Sequence, residues 1–249
     1  MSESFQAQSS NDAFYVCALI PCYNHNDTLA RVVAGLPTWV NVLIIDDGSE
    51  IPINPPNERS TVLRLEKNSG KAVALQTGFA HARKLGYTHA VALDSDGQHA
   101  PEVFDEIVSL ARETPDAIIA GVRDFSSENV PPQRRFMNKF SNFWFWFETG
   151  ITLQDTQCGY RCYPIDVIST LNLSESGFVY EAELLVKASW AGIKIVQKQV
   201  PCIYSEKSTS RSHYKPFVDT MRFSKMNSKF AFMAMFLTRK RLAKIALKK

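Results

Sequence analysis

The chain has 249 residues, 45% of them apolar and 21% charged, enough to bury a sizeable core in one large domain or one and a half, and too apolar for a disordered chain. Its net charge of +3 conceals an asymmetry, since residues 1–202 hold 16 Lys/Arg against 23 Asp/Glu and residues 203–249 hold 12 against 2. A basic tail on an acidic body calls for an anionic partner, either a membrane surface or a phosphorylated ligand, and no nucleic-acid partner is expected. Cys17, Cys22, Cys158, Cys162 and Cys202 are odd in number and form no CxxC pair, which excludes a disulfide framework or a zinc site and fits a reduced cytosolic chain.

Residues 1–12 are polar, without the charged and apolar regions of a secretory signal, and are expected to be a flexible N-terminus. Phe14–Ile20 predicts a first buried strand stopped by Pro21. A helix follows, capped at Asn26 or Asp27, with Leu29, Val32, Val33 and Leu36 on one face. Asn41–Ile45 predicts a second strand ending in Asp46-Asp47-Gly48-Ser49, and Thr61–Leu65 a third. Lys67-Asn68-Ser69-Gly70-Lys71 opens a helix over Ala72–Leu85 with Leu75, Phe79 and Ala82 inward.

Ala90–Leu93 predicts a central strand that ends in Asp94-Ser95-Asp96-Gly97-Gln98. Two carboxylates and a carboxamide at alternate positions offer hard oxygen donors to Mg²⁺ or Mn²⁺, with positions left for the phosphates of a nucleotide. An Asp-Gly turn capping a strand would have the same composition. Pro101 to about Arg112 predicts a helix with Val103, Phe104, Ile107 and Val108 inward, and Ala117–Val122 a strand ending at Arg123.

This alternation predicts an α/β fold with a mostly parallel sheet covered on both faces, whose ligands sit at the strand carboxyl ends. Asp46, Asp47, Asp94, Asp96 and Arg123 all fall at such ends, so one crevice can collect them. No GxGxxG follows the first strand, and Ser69-Gly70-Lys71-Ala72 lacks the upstream glycine and the Ser/Thr of a P-loop, which excludes two familiar nucleotide sites.

Gln133–Thr149 carries Met137, Phe140, Phe143, Trp144 and Phe147 at helical spacing, widened by Phe145 and Trp146. This stripe fits either core packing or an interfacial helix. Asp155–Arg161 is a polar loop entering a strand, Phe178–Ala191 a helix with Glu181 and Glu183 in its first turns, and Ile193–Tyr204 a last strand interrupted at Pro201. Ser205–Lys215 is rich in hydroxyls and bases and suited to a phosphate, with Arg211 and His213 its candidate ligands. Beyond it Phe223, Met226, Phe230, Met233 and Leu237 recur at a helical period. Six basic residues follow from Thr238 to Lys249, so residues 218–249 predict one amphipathic, basic helix at an anionic membrane surface. Its apolar stretch Phe230–Leu237 is far short of the ~20 residues that cross a bilayer. The expected organisation is a catalytic domain over 13–217 and this helix after it, peripheral to the cytoplasmic membrane face.

Taken together, IPCYN, VLIIDDGS, NSGKAVALQTGFAHA, ALDSDGQHAPE, DTQCGYR and YEAELL resemble the inverting family-two glycosyltransferases, and within them the dolichyl- and polyprenyl-phosphate sugar synthases, over about residues 14–217. The resemblance implies an A-type, Rossmann-like glycosyltransferase fold, a UDP- or GDP-linked sugar donor and a divalent metal. Carried over by position, Pro21, Tyr23 and Asp47, with Asp46 beside it, match the base and ribose pocket, and Asn24 stands where many members have Glu. Lys71 matches a basic residue near the nucleotide. Asp94, with Ser95 next to it, matches the carboxylate near ribose and metal, and Asp96 and Gln98 match metal ligands. Arg123 and Arg135 resemble arginines that meet phosphates, Arg161 is a further candidate, and Asp155 resembles an acid of the acceptor site. If the acceptor is a lipid phosphate no strong base is needed; if it is a hydroxyl of a saccharide or lipid, Asp155 or Glu183 is the candidate base. SRSHYKP in place of a GESK-like loop, and no tandem membrane helices after the catalytic region, are departures that bear on the acceptor.

Overall fold

Alternating apolar runs and amphipathic stretches resolve into strands and helices in a computed structural model that describes residues 14–98, 101–126, 130–202 and 216–248. The N-terminal residues 1–12, the loop at 205–215 and its candidates Arg211 and His213 lie outside the described residues. The elements are β1 (Val16–Cys22), α1 (Asn26–Gly35), β2 (Asn41–Asp46), β3 (Ser60–Arg64), α2 (Lys71–Lys84), β4 (His89–Ala92), a short 3₁₀ turn (Pro101–Val103) leading into α3 (Phe104–Glu113), and β5 (Ile118–Arg123). They continue with α4 (Pro132–Thr149), β6 (Arg161–Pro164), α5 (Ile165–Ser169), α6 (Val179–Trp190), β7 (Ile195–Val200), α7 (Pro216–Phe236) and α8 (Arg239–Ala246).

The strands form one seven-stranded sheet in the order β3-β2-β1-β4-β6-β5-β7, parallel except for β6, which runs against both β4 and β5. Both faces are covered, so the inner strands are apolar on both sides. Cys17 and Leu19 of β1 face a core shared with α2, α6, α7 and α8, while Ala18, Ile20 and Cys22 face a second core under α1 and α3. From β1 the chain builds outward through β2 and β3, then crosses back to β4 on the other side. The crevice between the carboxyl ends of β1 and β4 is therefore the switch point at which such sheets take ligands.

Pro21 does not stop β1 but lies inside it. Odd-numbered residues of β1 bond toward β4, as the Leu93 amide donating to the Leu19 carbonyl shows, and even ones toward β2, as Asp47 N–H on the Cys22 carbonyl shows. β4 pairs only as far as Leu19, so the missing N–H of Pro21 faces a side with no strand partner and costs no ladder bond.

The antiparallel β6 has a functional consequence. Its start, Arg161, pairs with Ala92 and Ala120, so the loop at residues 155–160 arrives at the same sheet edge as the ends of β4 and β5. The C-terminal segment breaks into two helices rather than one. The stripe predicted to meet a membrane faces inward: Met226 and Phe230 are buried, and Phe223, Met233 and Leu237 pack against the same core. Leu242 and Ala246 of α8 are buried too, and backbone bonds Asn172 N–H to Ala246 O and Lys248 N–H to Thr170 O lash the tail to the domain. The aromatic stripe of α4 does the opposite. Phe145 is its one fully buried aromatic, while Phe136, Phe140, Phe143, Trp146 and Phe147 are 39–66% exposed.

Candidate functional site

Four loops meet at the switch point and are sewn together by hydrogen bonds. After β1, Asn24 adopts φ 57°, a left-handed conformation that Asn tolerates better than most side chains. Its N–H donates to Ser49 Oγ (3.0 Å) and its Oδ1 accepts from Glu50 N–H (2.9 Å), joining the β1 and β2 loops. His25 Nδ1 lies 3.0 Å from Ser95 Oγ, and Thr28 Oγ1 donates to the Ser95 carbonyl at 2.6 Å, joining α1 to the β4 loop. After β2, Asp47 accepts from the amides of Ser69 (2.7 Å) and Gly70 (2.8 Å), holding the start of α2. Burial pushes the Asp47 carboxyl up, against those two N–H bonds. Gly48 sits at φ 70° with Lys67 backbone carbon 2.5 Å from where a Cβ would stand, so only glycine fits between the loops.

That fastening places Lys71, the first residue of α2, at the crevice. Its Nζ is 2.7 Å from Asp94 Oδ1 and 2.7 Å from Glu181 Oε2, with the lysine side chain 17% exposed. Burial alone would lower the Lys71 pKa, but the two carboxylates outweigh it and hold the ammonium well above the ordinary lysine range. Asp94 is backed by the 155–160 loop: a Cβ on Gly159 would lie 2.5 Å from Asp94 Oδ2, so this glycine allows the carboxylate its position. Asp96 is half-buried, and its Oδ1 accepts the Gln98 N–H at 2.9 Å, closing the turn.

Among the described residues no cluster of three His, Cys, Asp or Glu is assembled for a metal. The donor set nonetheless fits Mg²⁺ or Mn²⁺ of the kind that keeps one or two carboxylates and takes its other ligands from phosphates and water. Asp94 and Asp96 flank Ser95 at a strand end, neither sealed in an apolar interior, with Gln98 two residues on. They are the residues that would hold such a cation.

Several predicted site residues do other work. Asp46 is completely buried. Its oxygens take Ser49 N–H (2.9 Å), Ile53 N–H (3.4 Å) and Arg64 Nη1 (2.5 Å), so it pins the β2 loop and does not face a nucleotide. Burial works against its ionised form, but those bonds prevail and keep its carboxyl below the usual range. Ser95 is buried and tied to His25, so its hydroxyl braces the loop. Arg161 is 1% exposed, with Nη2 on the Thr156 carbonyl (2.8 Å) and Nη1 3.8 Å from Glu181, so it supports the network from behind and cannot meet an acceptor. Glu183 is completely buried and held by Ser174 N–H (2.8 Å), Ser174 Oγ (3.0 Å), Glu175 N–H (2.7 Å) and Lys187 Nζ (2.8 Å), which leaves no lone pair for a base. The acid that reaches the crevice is Glu181. Both acids stand in the first turns of α6, and their partners distinguish them: Lys71 of α2 for Glu181, the preceding Ser174 and Glu175 with Lys187 of the same helix for Glu183.

At the other end of the crevice Arg123 grips Asp155 bidentately, Nε to Oδ2 at 2.7 Å and Nη2 to Oδ1 at 3.0 Å, with the Arg123 N–H adding a third bond to Oδ2 at 3.2 Å. Asp155 Oδ1 also accepts from Gln157 and Cys158 amides at 3.0 and 3.1 Å, and its side chain has no exposure. Asp155 thus fixes the guanidinium and its own loop. Pro21 and Tyr23 are half-buried and Asn24 exposed beside the β2 loop, and Arg135 is half-buried in the first turn of α4.

The model of glycosyl transferase family 2 matches residues 17–170. Polyprenol monophosphomannose synthase of Mycolicibacterium smegmatis is 27% identical over 206 residues, 76% of this chain and 77% of that protein. Undecaprenyl-phosphate mannosyltransferase of Micrococcus luteus is 26% identical over 79% of this chain and 86% of its own. Among solved structures, glucosyl-3-phosphoglycerate synthase from Mycobacterium tuberculosis, in complex with Mn²⁺, uridine diphosphate and phosphoglyceric acid, superposes with a TM-score of 0.61 over 90% of this chain and 80% of that one, at 14% identity. The switch-point crevice, the acids at its strand ends and a family match over more than half the chain agree: this protein is a glycosyltransferase of family 2, with the A-type fold.

Proposed function

We propose that the chain moves a hexose from a UDP- or GDP-linked sugar to a polyprenyl-phosphate-type lipid, with inversion, at the cytoplasmic face of a membrane. The observation that carries the acceptor class is the state of the two candidate bases. Asp155 and Glu183 are both sealed from solvent with their oxygens committed to protein donors. Glu181 is bound to a lysine that holds its proton firmly. A hydroxyl acceptor needs a base; a phosphate monoester, with a second pKa of ~6, is already ionised at neutral pH. The names of both curated relatives specify a polyprenol-type acceptor.

The reaction is one displacement: a phosphate oxygen of the acceptor bonds to the anomeric carbon as the bond from that carbon to the diphosphate oxygen breaks. Tyr23, Pro21, Asn24 and Asp47 line the pocket for base and ribose. Bound by Asp96 with Asp94 and Gln98, Mg²⁺ or Mn²⁺ would offset charge on the leaving diphosphate. Lys71 stays charged throughout and adds to that offset, and Arg123, oriented by Asp155, is the arginine that would meet a phosphate. The catalytic unit over 13–217 carries this chemistry, while the exposed bases of 218–249 meet anionic headgroups.

The test is a panel of UDP-, GDP- and dTDP-sugars with Mg²⁺ or Mn²⁺, scored by the rise in melting temperature that a ligand of the folded state produces. The donor so identified is then offered a short-chain polyprenyl phosphate and a saccharide acceptor in the same preparation. Transfer to the phosphate alone is expected, and transfer to the saccharide alone contradicts the acceptor class.

A further inference from the structure

The exposed aromatics of α4 have no role in the chemistry above, and they form one continuous face. Phe136, Phe140, Phe143 and Phe147 recur at intervals of four, three and four, with Lys139 and Trp146 between them on the same side, and all six are exposed. Their rings touch in series: Phe136 stacks on Phe140 (centroids 6.1 Å), and Phe143 contacts both Trp146 (6.0 Å) and Phe147 (6.3 Å). Five aromatics so exposed present roughly 500–600 Å² of apolar surface, at the upper end of what a monomer leaves in water.

Charge points to the occupant. α4 packs on α7, and the end of α4 abuts the start of α8, where a Cβ on Gly150 would lie 3.9 Å from Arg239 Nη2. α7 adds exposed Phe232, Met235 and Phe236. Across residues 132–149 and 216–248 there are eleven Lys/Arg and two acids, and both acids, Glu148 and Asp219, are buried. On these three helices the charges left outside are therefore all cationic. A Trp/Phe face ringed by bases matches the boundary between acyl chains and anionic headgroups.

We infer that the outer face of α4, extended by the end of α7, is the surface by which this chain inserts into an anionic phospholipid bilayer. The inner face of the same helix holds the acceptor-side loop: Asn138 and Asn142 Nδ2 donate to the Gln154 carbonyl (3.0 and 2.6 Å), and Thr156 bonds Asn142 Oδ1 and Ser141 Oγ. A helix lying in the interface thus sets Asp155 and Arg123 about one helix diameter, ~10 Å, behind the headgroups. That role in presenting the acceptor rests on the lipid-phosphate reading; the insertion itself does not.

The experiment uses the full chain, without nucleotide sugar or acceptor, and vesicles of zwitterionic lipid with or without anionic phospholipid. Binding to the anionic vesicles should persist in part at ~1 M salt, where the screening length falls to about 3 Å and a purely electrostatic contact is lost. Phe136→Ser/Phe143→Ser/Phe147→Ser should weaken it at least tenfold with unchanged circular dichroism, and lipids brominated near the headgroup should quench the tryptophan fluorescence of the unsubstituted chain. Vesicle binding equal to wild type in the triple variant, or absence of quenching, would overturn the inference. So would a dimer that the triple substitution dissociates while vesicle binding stands. Transfer to polyprenyl phosphate in detergent, scored separately, reports on the acceptor reading alone.

Discussion

Glu181 and Glu183 are two residues apart at the start of α6, yet one side chain reaches Lys71 in the crevice while the other is bound behind it by Ser174, Glu175 and Lys187. The same division runs along the whole carboxyl edge of the sheet. Asp46, Asp155 and Glu183 are sealed and spend their oxygens on backbone amides and a basic partner each, fixing three loops. Asp94 and Asp96 are half-buried at the end of β4, and Asp94 together with the buried Glu181 faces Lys71. Asp46, Asp155 and Glu183 are pins, the other three are the proposed reagents, and hydrogen-bond partners separate the two groups.

Substitution at the two kinds of acid should separate activity from stability. Asp96→Asn keeps an oxygen for the Gln98 amide, so the turn survives; turnover should fall about 10³-fold, of the size seen when one group stabilising developing charge is lost, with the melting temperature unchanged. Lys71→Met should lower turnover about 10²-fold and also destabilise the fold, because Asp94 and Glu181 then face each other without the ammonium. Glu183→Gln should do the converse of Asp96→Asn. It leaves Lys187 buried without its carboxylate and should cost about 3 kcal/mol in denaturant unfolding, with turnover per folded molecule near wild type. A Glu183→Gln variant that is stable but inactive would move this residue from the pins to the reagents.

The effect seen only on a pH scan concerns an acid that belongs to neither group. Glu148 is buried between α4, α6 and α7, its Oε1 without a partner among the described residues, and burial pushes its carboxyl up to about 8. The folded state therefore holds this proton longer than the unfolded chain, whose carboxyl ionises near 4.5. Stability should fall as pH rises from 4.5 towards 8, with a slope of at most about 1.4 kcal/mol per pH unit. Glu148→Gln should flatten that slope, and a variant with the wild-type slope would remove Glu148 from the account.

The parallel sheet, its two covered faces and the strand-end acids were legible in the sequence because period and turn chemistry are local. Partner choice is not local. Nothing in YEAELL tells which Glu meets a lysine from α2, or that Arg161 would be walled in by β4 and β5. The two aromatic stripes face opposite ways for the same reason. Both have helical period, but α7 docks its stripe on Trp190 and the core, while α4 spends its inner face on Asn138, Ser141 and Asn142 and leaves its rings outside. That inner polar row is a signal the sequence does carry: asparagines opposite aromatics on one helix mark the aromatic side as the unpacked one.

The pH dependence of kcat/KM with a polyprenyl phosphate acceptor, for wild type and Asp155→Asn, bears most directly on transfer without a protein base. Transfer without a protein base gives a rise through the acceptor's own second ionisation at ~6 and a plateau to pH 8, with the same shape in the variant at a lower level. A further rising limb in wild type that vanishes in Asp155→Asn would show a carboxylate accepting the proton, and would contradict it.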